Sequence, residues 1–268
     1  MRNTTAHKIF LLTLTIVLFS NLSAQAQVKL AGQNCEIESD IKDAALNQML
    51  TEDADRMIPQ VNRFFEMLGF SKLPDGKKVK IKFYNTVEKM KSQTSMAGHQ
   101  DVNMQGFFDH TSHQIGVTYL GNRDEAKRLL IHEFAHLLLH AQGENLAPWV
   151  DEGFADFISR DSNTLEFFET KKIPAVTQTI LQMANVQGQL PSIDDLAKTS
   201  HAQFYGKDQD IRYAYSVAIM AYVLNQQGPR IFGNFVRAVS QGSNPREWMN
   251  QNVDPHFEEH FKTWMLGT

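Results

Sequence analysis

Apolar residues recur at steps of three and four through most of this chain, and alternate with polar ones in one short interval. Across residues 39–70, Ile41, Leu46, Leu50, Met57, Ile58, Val61, Phe64, Phe65 and Leu68 keep helical spacing. Pro59 falls inside that stretch and predicts two helices, or one with a kink. Gly69 and then Pro74-Asp75-Gly76 supply a stop and a turn. Residues 78–84 (KVKIKFY) alternate polar and apolar, as a half-buried strand does, with the lysines on its solvated face. Asn85 and Thr86 can cap a helix over residues 87–95. Residues 105–120 read as a hairpin turning near Asp109 to Ser112. Asn122 then caps a helix whose first turn is acidic. A loop over 143–148 leads to a further apolar helix.

Beyond Phe157 the pattern is wholly helical. Segments fall at residues 165–168, 174–186, 213–225, 229–239 and 255–265, with another capped by Ser192 three residues before Asp195. Gly228, Gly242 and Pro245 punctuate them. The expected fold class is α+β: a small mixed sheet with helices over residues 27–157, then an all-helical subdomain over 158–268, with a cleft between.

The first 26 residues change this picture. A basic start is followed by an apolar run over residues 9–19 and by Ser23-Ala24-Gln25-Ala26, the layout of an export signal cleaved after Ala26. That run is shorter than the roughly 20 residues needed to span a bilayer. The expectation is therefore a periplasmic or extracellular protein with no membrane attachment once the signal is removed. Gln33 follows Leu30-Ala31-Gly32 where a lipoprotein signal needs cysteine, so lipidation is not expected. The formal net charge of −4 points to neither nucleic acid nor an anionic membrane surface. The single cysteine, Cys35, excludes an internal disulfide and reads as an incidental thiol.

The candidate chemistry sits within residues 129–139 (LLIHEFAHLLL), which contain H-E-x-x-H in a helical apolar run. A helix turns about 100° per residue, so His132 and His136 stand roughly 40° apart, one turn along one face. Two imidazoles so placed can converge on one Zn²⁺, with Glu133 beside them as base for a water. A catalytic zinc takes three protein ligands and keeps one position open. Sixteen residues past His136 lies Glu152, within Pro148-Trp149-Val150-Asp151-Glu152-Gly153-Phe154-Ala155-Asp156-Phe157. This segment resembles the second motif of the gluzincin metallopeptidases, W-x-x-E-G-x-A, and the nearest likeness is to the peptidase MA-like families, relatives of thermolysin and the zinc aminopeptidases.

The resemblance implies His132, His136 and Glu152 as zinc ligands, Glu133 as general base and Asp156 as the residue that orients His132. It also implies that a strand before the zinc helix pairs with an extended peptide. A tyrosine or histidine from the helical subdomain is expected to face the oxyanion. Tyr213 fits best by its spacing to Ser216 and Tyr222, Tyr215 is second, and His201 is weaker. His140 continues the i, i+4 series, yet no glycine precedes it to bring it round to the ion. It reads as a histidine at the helix C-terminus. His110 and His113 read as exposed turn residues.

The resulting expectation is an exported zinc peptidase acting on peptides or proteins. The alternatives are a peptidase-like binding or scaffolding protein and a zinc hydrolase of a non-peptide amide. No G-x-M-E-N-like exopeptidase signature occurs, which favours endopeptidase action.

Overall fold

The computed structural model describes residues 27–93, 104–142, 146–160 and 173–267. The signal expected over residues 1–26, the end of the helix expected to reach residue 95 and the helix expected at 165–168 lie outside them. In chain order come β1 (Val28–Ala31), β2 (Cys35–Ser39), α1 (Ala44–Leu68), β3 (Val79–Tyr84), α2 (Val87–Gln93), β4 (Gly106–Asp109) and β5 (Gln114–Thr118). The later helices are α3 (Arg123–His140), α4 (Pro148–Ser159), α5 (Ala175–Val186), α6 (Ile193–Ala197), α7 (His201–Phe204), α8 (Gln209–Ser240), α9 (Pro245–Asn252) and α10 (Phe257–Leu266). The fold is α+β, with a small mixed sheet in the order β1-β2-β3-β5-β4. Pairs β2–β3 and β3–β5 are parallel, while β1–β2 and β4–β5 are antiparallel.

Two local expectations are corrected. Residues before Ala44 are not helical: they form a hairpin whose second strand buries Cys35, Ile37 and Ser39 and exposes Glu36. Five residues of period two are too short to stand out from sequence, and pairing with β3 completes them. Asp43, not Ser39, begins the helix, its side chain accepting the Leu46 N–H.

Of the two alternatives for Pro59, a single helix is found: the proline lies inside α1, not at a boundary between two helices. Proline lacks an N–H, so the Asp55 carbonyl loses its partner four residues on. Asn34 Nδ2 donates to that carbonyl at 2.9 Å, and the Asp55 carboxylate accepts the N–H groups of Gln33 (2.7 Å) and Asn34 (2.6 Å). The first hairpin thus supplies the hydrogen bond that the proline removes.

Elsewhere the helices expected at 174–186, 213–225, 229–239 and 255–265 are found, while α7 and α9 have no counterpart in the expected pattern. Thr86 caps α2 through its hydroxyl, Asn122 caps α3 and Ser192 caps α6. The hairpin turn is closed by Asp109, whose carboxylate accepts from Thr111 N–H and Ser112 O–H. Gly228, with φ of 76°, breaks the helical backbone inside α8, so the two apolar segments expected there meet at a sharp bend.

The motif-bearing helix α3 touches β4, β5, α1 and α4, and α4 lies along α8. Phe154 of α4 stacks on Phe232 of α8 (5.7 Å) and meets Phe65 of α1 edge-on (5.4 Å), fixing α4 between them. The α4–α8 crossing depends on Gly153. A Cβ there would stand 2.5 Å from Cβ of Ser216 and 3.2 Å from its backbone carbon. That is helix against helix, with no flexible tip to yield. Gly153→Ala is therefore expected to cost about 1–3 kcal/mol of stability by overpacking and to loosen metal binding by displacing the adjacent Glu152. Urea unfolding and metal titration of the same variant check both.

Candidate metal centre

Helical spacing places His132 and His136 on one face of α3, and the first turns of α4 carry carboxylates towards them. Nε2 of His132 lies 3.1 Å from Nε2 of His136 and 3.4 Å from Oε2 of Glu152. Oε1 of Glu152 is 3.9 Å from His136 Nε2. One donor atom from each of these three side chains falls within 4.8 Å of the others, so the group can hold a metal ion. All three line one cleft of about 410 Å³ with Glu133.

The donor set itself argues for a cation. Two imidazole nitrogens face each other at hydrogen-bond distance, with a carboxylate beside them, in a buried setting. Lone pairs that converge without protons between them repel, and proton or metal binding relieves this. Burial by itself pushes the His132 pKa down, but the Asp156, Glu152 and Glu133 carboxylates outweigh it and lift the group to about 10. His136 is lifted to about 9 in the same way, against its burial, by Asp151 and Glu152. This field favours positive charge at the two rings. The residues fit a metal cation.

The other nitrogen of each ring faces an aspartate. His136 Nδ1 donates to Asp151 Oδ1 at 2.7 Å. His132 Nδ1 faces Asp156 Oδ1 at 3.6 Å, an ion-pair distance beyond a closed hydrogen bond. Asp156 in turn is paired with Arg160 and lies 3.6 Å from Arg128. Burial raises the Asp151 and Asp156 pKa values, but the facing imidazoles, joined by Arg160 at Asp156, pull both well below the usual carboxylate range. Glu152 is lowered too, its burial outweighed by His136 and His132, and it accepts a short hydrogen bond from the Tyr205 hydroxyl.

Glu133 is buried, and burial raises its pKa against the lowering effect of the two histidines. The edge strand passes directly over it: a Cβ on Gly106 would stand 2.6 Å from Glu133 Oε1. A side chain at Gly106 would press on the flexible end of Glu133, so glycine lets β4 lie close without moving that carboxylate. Gln105, Gly106, Phe107 and Phe108 line the cleft, and β4 has no strand on its outer side among the described residues.

The two tyrosines singled out from sequence part company. Tyr213 lines the cleft, its ring 6.3 Å from that of Tyr205, and burial followed by the Glu152 charge raises its pKa. Tyr215 is not part of the cleft lining; it packs edge-on against Phe261 of α10 at 5.5 Å. Residues two apart on a helix point about 200° round from each other, to nearly opposite faces, and α10 claims the second one. His201 lines the cleft and packs against Tyr205 at 4.5 Å.

Sequence reasoning missed Asp151 and Tyr205. Asp151 was findable, since the residue before Glu152 on a helix is the one able to reach a neighbouring ring while Glu152 reaches the ion. Tyr205 follows the four-residue helix α7, and no spacing rule ties it to the zinc motif. His140 stands in the last turn of α3 and His110 is exposed in the hairpin turn, as expected, but His140 Nε2 also faces Asp151 Oδ2 at 3.1 Å, and His110 also lines the cleft.

Asp151→Asn is expected to weaken metal affinity by about 10–100-fold, because a ligand's hydrogen-bond partner sets its orientation and basicity. Tyr215→Phe should leave affinity unchanged. Competition with a chromogenic chelator measures both. Affinity should also fall as pH is lowered, since protons compete for the two rings. The same competition assay run across pH gives the sign.

Comparison with protein-family models and with curated proteins returns no match. Function is therefore read from the geometry of the site and from the motif resemblance.

Proposed function

We propose that the protein is a zinc-dependent peptidase of the gluzincin type, acting on peptide or protein substrates. The observation that carries this reading is the convergence of His132, His136 and Glu152 within 4.8 Å, with Glu133 in the same cleft. Their donor set suits zinc, which takes imidazole and carboxylate in open catalytic sites. When bound, Zn²⁺ supplies a Lewis acid and lowers the pKa of a water to about 7.

The chain's own groups supply the rest. Glu133, with its pKa raised by burial, is suited to take a proton from the attacking water and return it to the leaving amine. Tyr213, kept protonated by the same surroundings, can donate its O–H to the oxyanion as charge develops there. Tyr205 spends its hydroxyl on Glu152 and so holds that carboxylate in place. The outer edge of β4 offers backbone groups to an extended substrate, which favours a peptide over a small amide. Asp156, between His132 and two arginines, positions the first ring.

The leader-like residues 1–26 support export, and no helix among the described residues is long and apolar enough to cross a membrane. An extracytoplasmic peptidase is the setting we propose.

Glu133→Gln should retain bound metal and lose about 10²–10⁴-fold in turnover of a peptide library, read by mass spectrometry of the products. Tyr213→Phe should lower kcat by about 10²–10³-fold with KM little changed. Metal-loaded wild-type protein that cuts no peptide would leave a binding module as the better reading.

A further inference from the structure

Two histidines stand beside the metal centre with no part in it. His140 closes α3 one turn beyond His136, and His110 opens the turn after β4. Their rings meet edge to face at 4.2 Å, and Phe108 packs against both, at 4.8 Å from His110 and 6.2 Å from His140. Asp151 reaches this pair with its second oxygen. Oδ1 accepts from His136 Nδ1 at 2.7 Å, while Oδ2 faces His140 Nε2 at 3.1 Å. One donor atom from each of His136, His140 and Asp151 lies within 4.8 Å of the others.

We propose that His140 and Asp151, with His110 as the third donor, form a second transition-metal site coupled to the first through the Asp151–His136 hydrogen bond. The donors are two imidazoles and one carboxylate, the chemistry of Zn²⁺, Co²⁺, Ni²⁺ and Cu²⁺. Ca²⁺ and Mg²⁺ demand mostly oxygen and are poor fits. An ion between Oδ2 and the His140 ring leaves Oδ1 free to keep its bond to His136, so both sites can be filled together. His110 completes the set by rotating a ring already in contact with that of His140. The His140 and Asp151 side chains are 25% and 19% exposed, which gives an ion a way in from the cleft.

The second site is the weaker one, because its donors are more exposed and one must turn. Its sign of coupling follows from charge. A cation on Oδ2 draws negative charge from the carboxylate, loosens its grip on the His136 Nδ1–H and makes His136 a poorer donor to the first ion. Coupling is reciprocal, so the first ion weakens the second by the same factor. That coupling rests on the first site being a metal centre; the second site's own donors do not depend on peptidase activity.

The test is titration of chelator-stripped full chain with Co²⁺, followed by visible absorption, and with Zn²⁺, followed by calorimetry. Two events are expected, the second weaker by about tenfold or more. His140→Phe should remove the second alone, and His110→Ala should weaken it by about tenfold or more. Glu152→Gln should weaken the first and, with that site empty, retain and tighten the second. A single event that Glu152→Gln abolishes would overturn the second site and leave the first standing. Two events that survive His140→Phe unchanged would also overturn it. A single event that survives Glu152→Gln but vanishes in His140→Phe would support the second site and overturn the first. No event at all would overturn both.

Discussion

Two imidazole nitrogens 3.1 Å apart, with a carboxylate against them inside a buried shell, are the constraint around which the structure is built. Groups of this kind are expensive to take out of water unless every one finds a partner. Here each ring faces an aspartate on its far side, hydrogen-bonded at His136 and at ion-pair distance at His132, each aspartate is answered by a cationic or ring N–H group, and Glu152 accepts the Tyr205 hydroxyl. What is left is an inward-facing set of lone pairs in a field that favours positive charge. A metal ion could occupy it.

Holding those groups at such range calls for close approach of three elements, and two glycines permit it. Gly153 lets α4 lie against Ser216 of α8, which sets where Glu152 and its neighbours point. Gly106 lets the edge strand pass over Glu133. The same strand keeps its outer edge unpaired among the described residues, so the place where a backbone can dock and the group that can move a proton are adjacent by construction. The base and the docking edge of the proposed function are one packing solution.

Asp151 joins these features to the far end of α3. One oxygen serves His136 and the other faces His140, so the carboxylate lies between two candidate ion positions that share a single hydrogen-bonded link. An i, i+4, i+8 run of histidines spans about 12 Å along a helix at 1.5 Å per residue. One ion cannot be reached by all three, and a second helix carrying adjacent acids is what divides them between neighbouring positions.

The sequence alone determined the α+β class, most of the helices from α3 onward, the caps at Asn122 and Ser192, and the face shared by His132 and His136. These are set by periodicity and by hydrogen bonds made within a few residues, which a linear pattern records. Glu152 and Asp156 were legible through the motif that carries them, though their distances to the rings were not. Tertiary structure alone decided the rest. The β1–β2 hairpin is specified by pairing with β3 and by Asp55 some twenty residues away, and Pro59 stays helical because Asn34 satisfies the carbonyl it frees. Tyr215 belongs to α10, while Tyr205 belongs to Glu152, and His140 to Asp151. Such assignments depend on which elements cross where, and that follows from the packing of whole helices over gaps in sequence that no local spacing encodes.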